Sequence, residues 1–157
     1  MSREDGLGLS SWLSGPEPEQ RADNAYPGQA LGLPQSGSGS LAFTGRRLAA
    51  LLVDWLIGYG LAGLALKFGL IPFVALSTTV LGVWFVMGVA SLPLFGFTPG
   101  QFALGLIVAP LDGAPRVGFV RALVRGVLVA LVVPPLFTDA DMRGLQDRVT
   151  GTAVLRR

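Results

Sequence analysis

The sequence predicts an all-α membrane protein with two transmembrane helices and a third membrane-embedded segment, spanning or re-entrant. Two observations carry that expectation. The 157 residues are 51% hydrophobic and 14% charged, where a soluble domain carries roughly a quarter charged, and the mean hydropathy is +0.58. The charges are also unevenly placed, with no Asp, Glu, Lys or Arg between Lys67 and Asp112. Long uncharged apolar stretches place a chain among integral membrane proteins.

Residues 1–43 are expected to form a disordered acidic tail. Gly, Pro, Ser and Gln dominate it, and five carboxylates face only Arg3 and Arg21. Such a composition cannot bury enough apolar surface to offset chain ordering. The start, MSREDG, lacks the basic stretch and apolar core of a signal peptide. Trp12 and Tyr26 are the residues in this tail that suit an interface or a partner.

Residues 44–157 form the membrane domain. The first span is expected over about 48–66, between Arg46-Arg47 and Lys67. Two arginines against one lysine place the N-terminus in the cytoplasm. Pro72 suits the first turn of the second helix, expected over about 73–92 and ended by Pro93 and FGFTPGQ. Trp84 and Phe85 fall mid-span and suit packing; Ser77, Leu81, Trp84, Gly88 and Ser91 share one face. FTPGQ has the character of a turn with a helix start at Thr98, lacking the Gly spacing and Lys of a phosphate loop.

Residues 102–116 suggest a loop or small hairpin against the membrane, turning at Leu111-Asp112-Gly113-Ala114. The third segment, about 117–137, holds an uncharged stretch from Gly126 to Thr138, only about 20 Å of helix and too short to cross. Extending it back takes in Arg121 and Arg125, four apart on one face. Spanning and re-entrant arrangements both stand, with Pro134-Pro135 a natural bend. Beyond it, Asp139 and Asp141 could cap a short helix through Val149, and the last residues could be extended.

The absence of cysteine and histidine excludes disulfides, thiolate chemistry and a Ser–His–Asp triad, and removes the usual zinc ligand and general base. Ser77, Thr78 and Thr79 have no base near them in the sequence. No enzyme activity and no cofactor are expected. The dispersed arginines carry no nucleic-acid motif; the expected partners are the lipid bilayer and either a second copy or another membrane protein.

Asp54 is the main functional lead. It lies seven residues, two turns, after Arg47 and about 12 Å beyond Arg46, near mid-span, where an Asp costs about 2.5–3.5 kcal/mol on insertion scales. Ala50, Gly58 and Ala62 step along its face at intervals of four. A stripe of charge and small side chains faces another helix rather than lipid. Arg47, Arg121 and Arg125 are the expected partners. Asp112 is explained by its turn, and Asp147 with Arg148 by a surface or interface pair.

RRLAALLVDWLI resembles the opening helix of the RDD family of bacterial membrane proteins. FGFTPGQFALGLIV, RALVRG and GLQDRVTGTAVL are similar to later segments of that family. The resemblance implies a multi-pass protein of the bacterial inner membrane. It matches Arg47 and Asp54 to the family's Arg and first Asp, and Asp147 to the second; Gln146 stands where many relatives carry His. The candidate network is therefore Arg47, Asp54, Arg121, Arg125 and Asp147. Its expected role is architectural, in an accessory or assembly module, with ion or small-solute transport by an oligomer, proton- or cation-coupled through Asp54, as the alternative.

Overall fold

The computed structural model describes residues 25–131 and 143–157. Helix α1 runs Thr44–Lys67. A single 3-10 turn, Phe73–Ala75, leads into α2, Leu76–Phe95. Both are long and apolar enough to cross a membrane: Thr44–Lys67 and Phe73–Phe95 have hydropathies of 1.8 and 2.0 over their most apolar windows. Most of their side chains face outward, including Leu52, Leu56, Tyr59, Leu64 and Val86.

The buried residues of α1 are Ala50, Asp54, Gly58 and Ala62, the stripe expected from sequence. The spacing of four places them on one side of the helix. A Cβ at Gly58 would lie 3.3 Å from the Val80 carbonyl and 3.4 Å from the Trp84 Cβ, so glycine brings the two backbones together. Trp55 meets Trp84 edge-on, with ring centroids 5.7 Å apart. The face of α2 differs from expectation at its start. Val80, Val89 and Leu92 are the buried residues, while Ser77 and Leu81 are exposed. Burial follows the side that meets α1 and the later helix, whatever the size of its residues.

Helix α2 continues two residues past Pro93 and ends at Gly96, φ 81°. Proline in the last turn sacrifices one backbone bond rather than the helix, and the Arg116 guanidinium donates to the Leu94 carbonyl at 2.6 Å. Helix α3, Pro99–Ala103, begins where the sequence placed a helix start. Thr98 and Gln101 form a reciprocal capping box and Pro99 opens the first turn, satisfying amides that a helix start leaves free.

Strand β1, Leu106–Pro110, corrects the expected local hairpin. Its partner is not across the Asp112 turn but at the far end of the chain: β2, Thr152–Arg156, pairs antiparallel with Ile107 opposite Leu155 and Val108 opposite Val154. The alternative that the last residues are extended is the one that occurs. The expected boundary at residue 43 also shifts. Residues 39–42 lie along β2: Ala42 N–H donates to the Val154 carbonyl at 2.9 Å, and Arg156 N–H donates to the Ser40 carbonyl at 2.9 Å. Leu41 and Ala42 are buried, because this segment covers an otherwise open strand edge. The expectations for Trp12, Pro134-Pro135, Asp139 and Asp141 lie outside the described residues.

Helix α4, Phe119–Ala130, is about 18 Å long, shorter than a membrane core. It packs on α2 at Gly126, where a Cβ would lie 2.8 Å from Val89 Cγ2. A one-turn helix α5, Leu145–Val149, precedes β2. The core lies at one end of the helix pair and joins Ala42, Ala50, Leu92, Leu106, Val108, Val117, Ala122 and Val154.

Candidate functional site

Five charged residues were singled out by sequence, and the fold sorts them into three groups. The first is centred on Asp147, which α5 buries completely. Arg47 Nη1 donates to Asp147 Oδ2 at 2.8 Å, and Arg125 forms an ion pair with Asp147 Oδ1. Arg47 Nε also donates to the Ala42 carbonyl at 3.1 Å and Nη2 to the Val154 carbonyl at 3.4 Å. One carboxylate thus ties α1, α4 and α5 together, and Arg47 adds β2. The expectation that Asp147 forms a surface or interface pair with Arg148 is overturned. Helical spacing puts Gln146 and Asp147 inward, and two guanidiniums arrive from segments remote in sequence.

Asp54 forms the second group, and its partners are not the expected arginines. Thr98 Oγ1 donates to Asp54 Oδ2 at 2.5 Å, and Gly100 N–H donates to Oδ1 at 2.6 Å. The physical reason is reach. Seven residues separate Arg47 from Asp54 by about 10 Å along the helix, and Arg47 extends instead towards the end where α5 and β2 pack. The α3 turn supplies donors directly over Asp54, with Gly100 leaving room for them. A Cβ there would stand 2.1 Å from the Ala50 carbonyl and 2.9 Å from Asp54 Cγ. Sequence reasoning missed Thr98 and Gly100 as partners of Asp54; T-P-G-Q announced only a helix start. Arg125 lines a cavity of about 50 Å³ that also borders Asp54, Trp84, Thr98 and Gln101.

Arg121 and Asp112 form the third group, an ion pair at 2.5 Å with both side chains 40% or more exposed. The hydrogen bond from Arg121, and then that from Ala114 N–H, hold the Asp112 carboxyl below its ordinary value. A depressed folded-state value means that any stabilisation is present above the ordinary carboxylate range and fades as pH falls through the folded value. An exposed pair is screened and contributes little. Replacement of Arg121 by Gln should therefore leave the thermal midpoint of the purified protein unchanged, whereas Arg125→Gln should lower it by several degrees. Equal shifts in a melting experiment would refute this division of two arginines that lie on one helix.

A second cavity, of about 30 Å³, is lined by Thr44, Arg47, Gln101, Arg125 and Gln146, among others. Gln146 is buried, and its Oε1 has no hydrogen-bond partner among the described residues. Among the described residues no group of three or more Asp or Glu is placed to hold a metal ion.

Comparison with protein families matches residues 41–151 to the RDD family. The chain belongs to the RDD family. Neither the curated proteins nor the solved structures provide a match. The match takes in Arg47, Asp54, Arg121, Arg125 and Asp147, and ends just before β2. Family and apolar helices together mark this RDD protein as a membrane protein.

Proposed function

We propose that this RDD protein is an accessory or assembly module of the bacterial cytoplasmic membrane, with its N-terminus in the cytoplasm. It binds another membrane protein or a second copy of itself through the outward faces of α1 and α2. It performs no catalysis, takes no cofactor and binds no nucleic acid. The observation that carries this is the engagement of its buried acids. Asp147 is held by two arginines, and both Asp54 oxygens accept bonds from the α3 turn. Groups so engaged fix one packing arrangement. The cavities beside them, of about 50 and 30 Å³, have room for water but not for an organic solute. The outward face of α1 presents Leu52, Trp55, Leu56 and Tyr59, a surface for lipid or another helix.

The alternative is ion or small-solute transport by an oligomer, proton- or cation-coupled through Asp54. One observation favours it: Asp54 borders a cavity in mid-helix and accepts its two hydrogen bonds from uncharged donors. Intramembrane carboxylates are frequently functional. Cation and proton flux in proteoliposomes, wild type beside Asp54→Asn, tests both. We expect no flux from either protein under several gradients, and co-purification of a membrane partner. Wild-type flux that vanishes in a folded Asp54→Asn protein would replace the accessory role by transport.

A further inference from the structure

The strongest unassigned feature lies at the end of α2, away from the buried acids. Phe95, Phe97 and Phe102 form a run of rings: Phe95 stacks on Phe97 with centroids 6.0 Å apart, and Phe97 meets Phe102 at 5.2 Å. With Ser91 and Pro99 they line an open groove of about 400 Å³, within the roughly 300–1,000 Å³ typical of small-molecule sites. Phe95 and Phe102 remain 60% and 55% exposed, so the chain itself leaves this groove uncovered among the described residues.

One cation is fixed over its rings and a second at the adjoining end of α2. The Arg157 guanidinium stands 5.3 Å from the Phe97 ring centroid and 5.0 Å from that of Phe102, within cation–π range. Its backbone is held by a bond from Arg157 N–H to the Gly105 carbonyl at 2.8 Å. Arg116 donates to the Leu94 carbonyl at 2.6 Å, one residue before Phe95. That contact uses one of five guanidinium N–H donors. Both guanidiniums are therefore held beside residues 94–97.

Depth decides what can fill such a site. The apolar stretch Phe73–Phe95 is 23 residues, about 34 Å of helix against a hydrocarbon core of about 30 Å. Phe95 thus falls where acyl chains give way to headgroups. We propose that this groove binds an anionic glycerophospholipid, its acyl chain on Phe95, Phe97 and Phe102 and its phosphate between Arg116 and Arg157. Charge complementarity selects an anionic headgroup over a zwitterionic one, and the aromatic groove selects a lipid over a soluble anion. The inference rests on the membrane placement of the chain, not on its accessory role.

The test uses the full chain reconstituted in phosphatidylcholine vesicles, with spin-labelled phosphatidylglycerol or phosphatidylcholine as probe. The motionally restricted fraction should be larger for phosphatidylglycerol. Arg116→Gln and Arg157→Gln should each lower that preference, by about fivefold for a basic residue near the surface. Phe97→Ala with Phe102→Ala should reduce restriction of both lipids, with helicity unchanged. Arg46→Gln, which removes an exposed arginine at the start of α1, should leave the preference intact. Equal restriction of the two lipids, or an equal loss with Arg46→Gln, would show diffuse charge and overturn the site. Protein that remains outside the vesicles would overturn the membrane placement as well.

Discussion

Asp147→Asn is expected to be the most damaging single-atom change in the chain. Asp147 has no exposed surface, and the Arg47 and Arg125 side chains that meet it are only 10% and 8% exposed. The asparagine is nearly isosteric, so packing survives while the charge is lost. Two guanidiniums then share a buried site without a counter-charge. Breaking a buried pair by removing one partner costs about 3–5 kcal/mol, a large part of a typical total stability of about 5–15 kcal/mol. Arg125→Gln should cost less, because it leaves the Arg47–Asp147 pair balanced. Arg47→Gln combined with Asp147→Asn should recover part of the loss, since the second change removes one stranded cation. Equilibrium unfolding in a mild detergent measures all of these. An Asp147→Asn protein within about 1 kcal/mol of wild type would mean that the cluster is hydrated and not structural.

Gly100→Ala is expected to separate α3 from α1. The added methyl would stand 2.1 Å from the Ala50 carbonyl and 2.9 Å from Asp54 Cγ, inside any permissible contact. Both neighbours belong to α1, and the carbonyl is committed to that helix, so α3 must move. Its movement also draws Gly100 N–H and the Thr98 hydroxyl away from Asp54, leaving a buried carboxylate short of donors. Overpacking costs about 1–3 kcal/mol, and a hydrogen bond to a charged group contributes about 1.5–3 kcal/mol. A loss of about 3 kcal/mol or more is therefore expected. Thr98→Val keeps the shape and removes one donor together with the helix cap, so its cost should be smaller. Adding Asp54→Asn to Gly100→Ala separates the two effects. The clash remains, but an amide replaces the charge, so the double mutant should be less damaged than the sum of the single changes. Strict additivity in unfolding experiments would show that Asp54 and Gly100 are not coupled.

Much of the frame was legible from local pattern. Two long apolar stretches gave α1 and α2, because hydropathy and length are properties of a segment and need no partner. The spacing Ala50, Asp54, Gly58, Ala62 gave the buried stripe of α1, because helical periodicity alone decides which residues share a side. Thr98-Pro99-Gly100-Gln101 gave the start of α3, since a capping box is made within four residues. Each of these is short-range physics.

What the tertiary structure decided was pairing. Five charged residues could be named as a group, yet the sequence holds no measure of which arginine reaches which aspartate. Arg121 and Arg125 lie one turn apart on the same helix, but one meets exposed Asp112 and the other buried Asp147. Asp54 takes donors from a turn more than forty residues away, one of them a backbone amide that no side-chain pattern advertises. The pairing of Leu106–Pro110 with Thr152–Arg156 was hidden for the same reason: five-residue strands carry a weak local signal, and their register is set by the helices that bring them together. The sequence by itself determined a membrane-type helical frame and the stripe along which it packs. Only the three-dimensional arrangement could assign its ion pairs, because contacts between distant segments depend on where every intervening element folds.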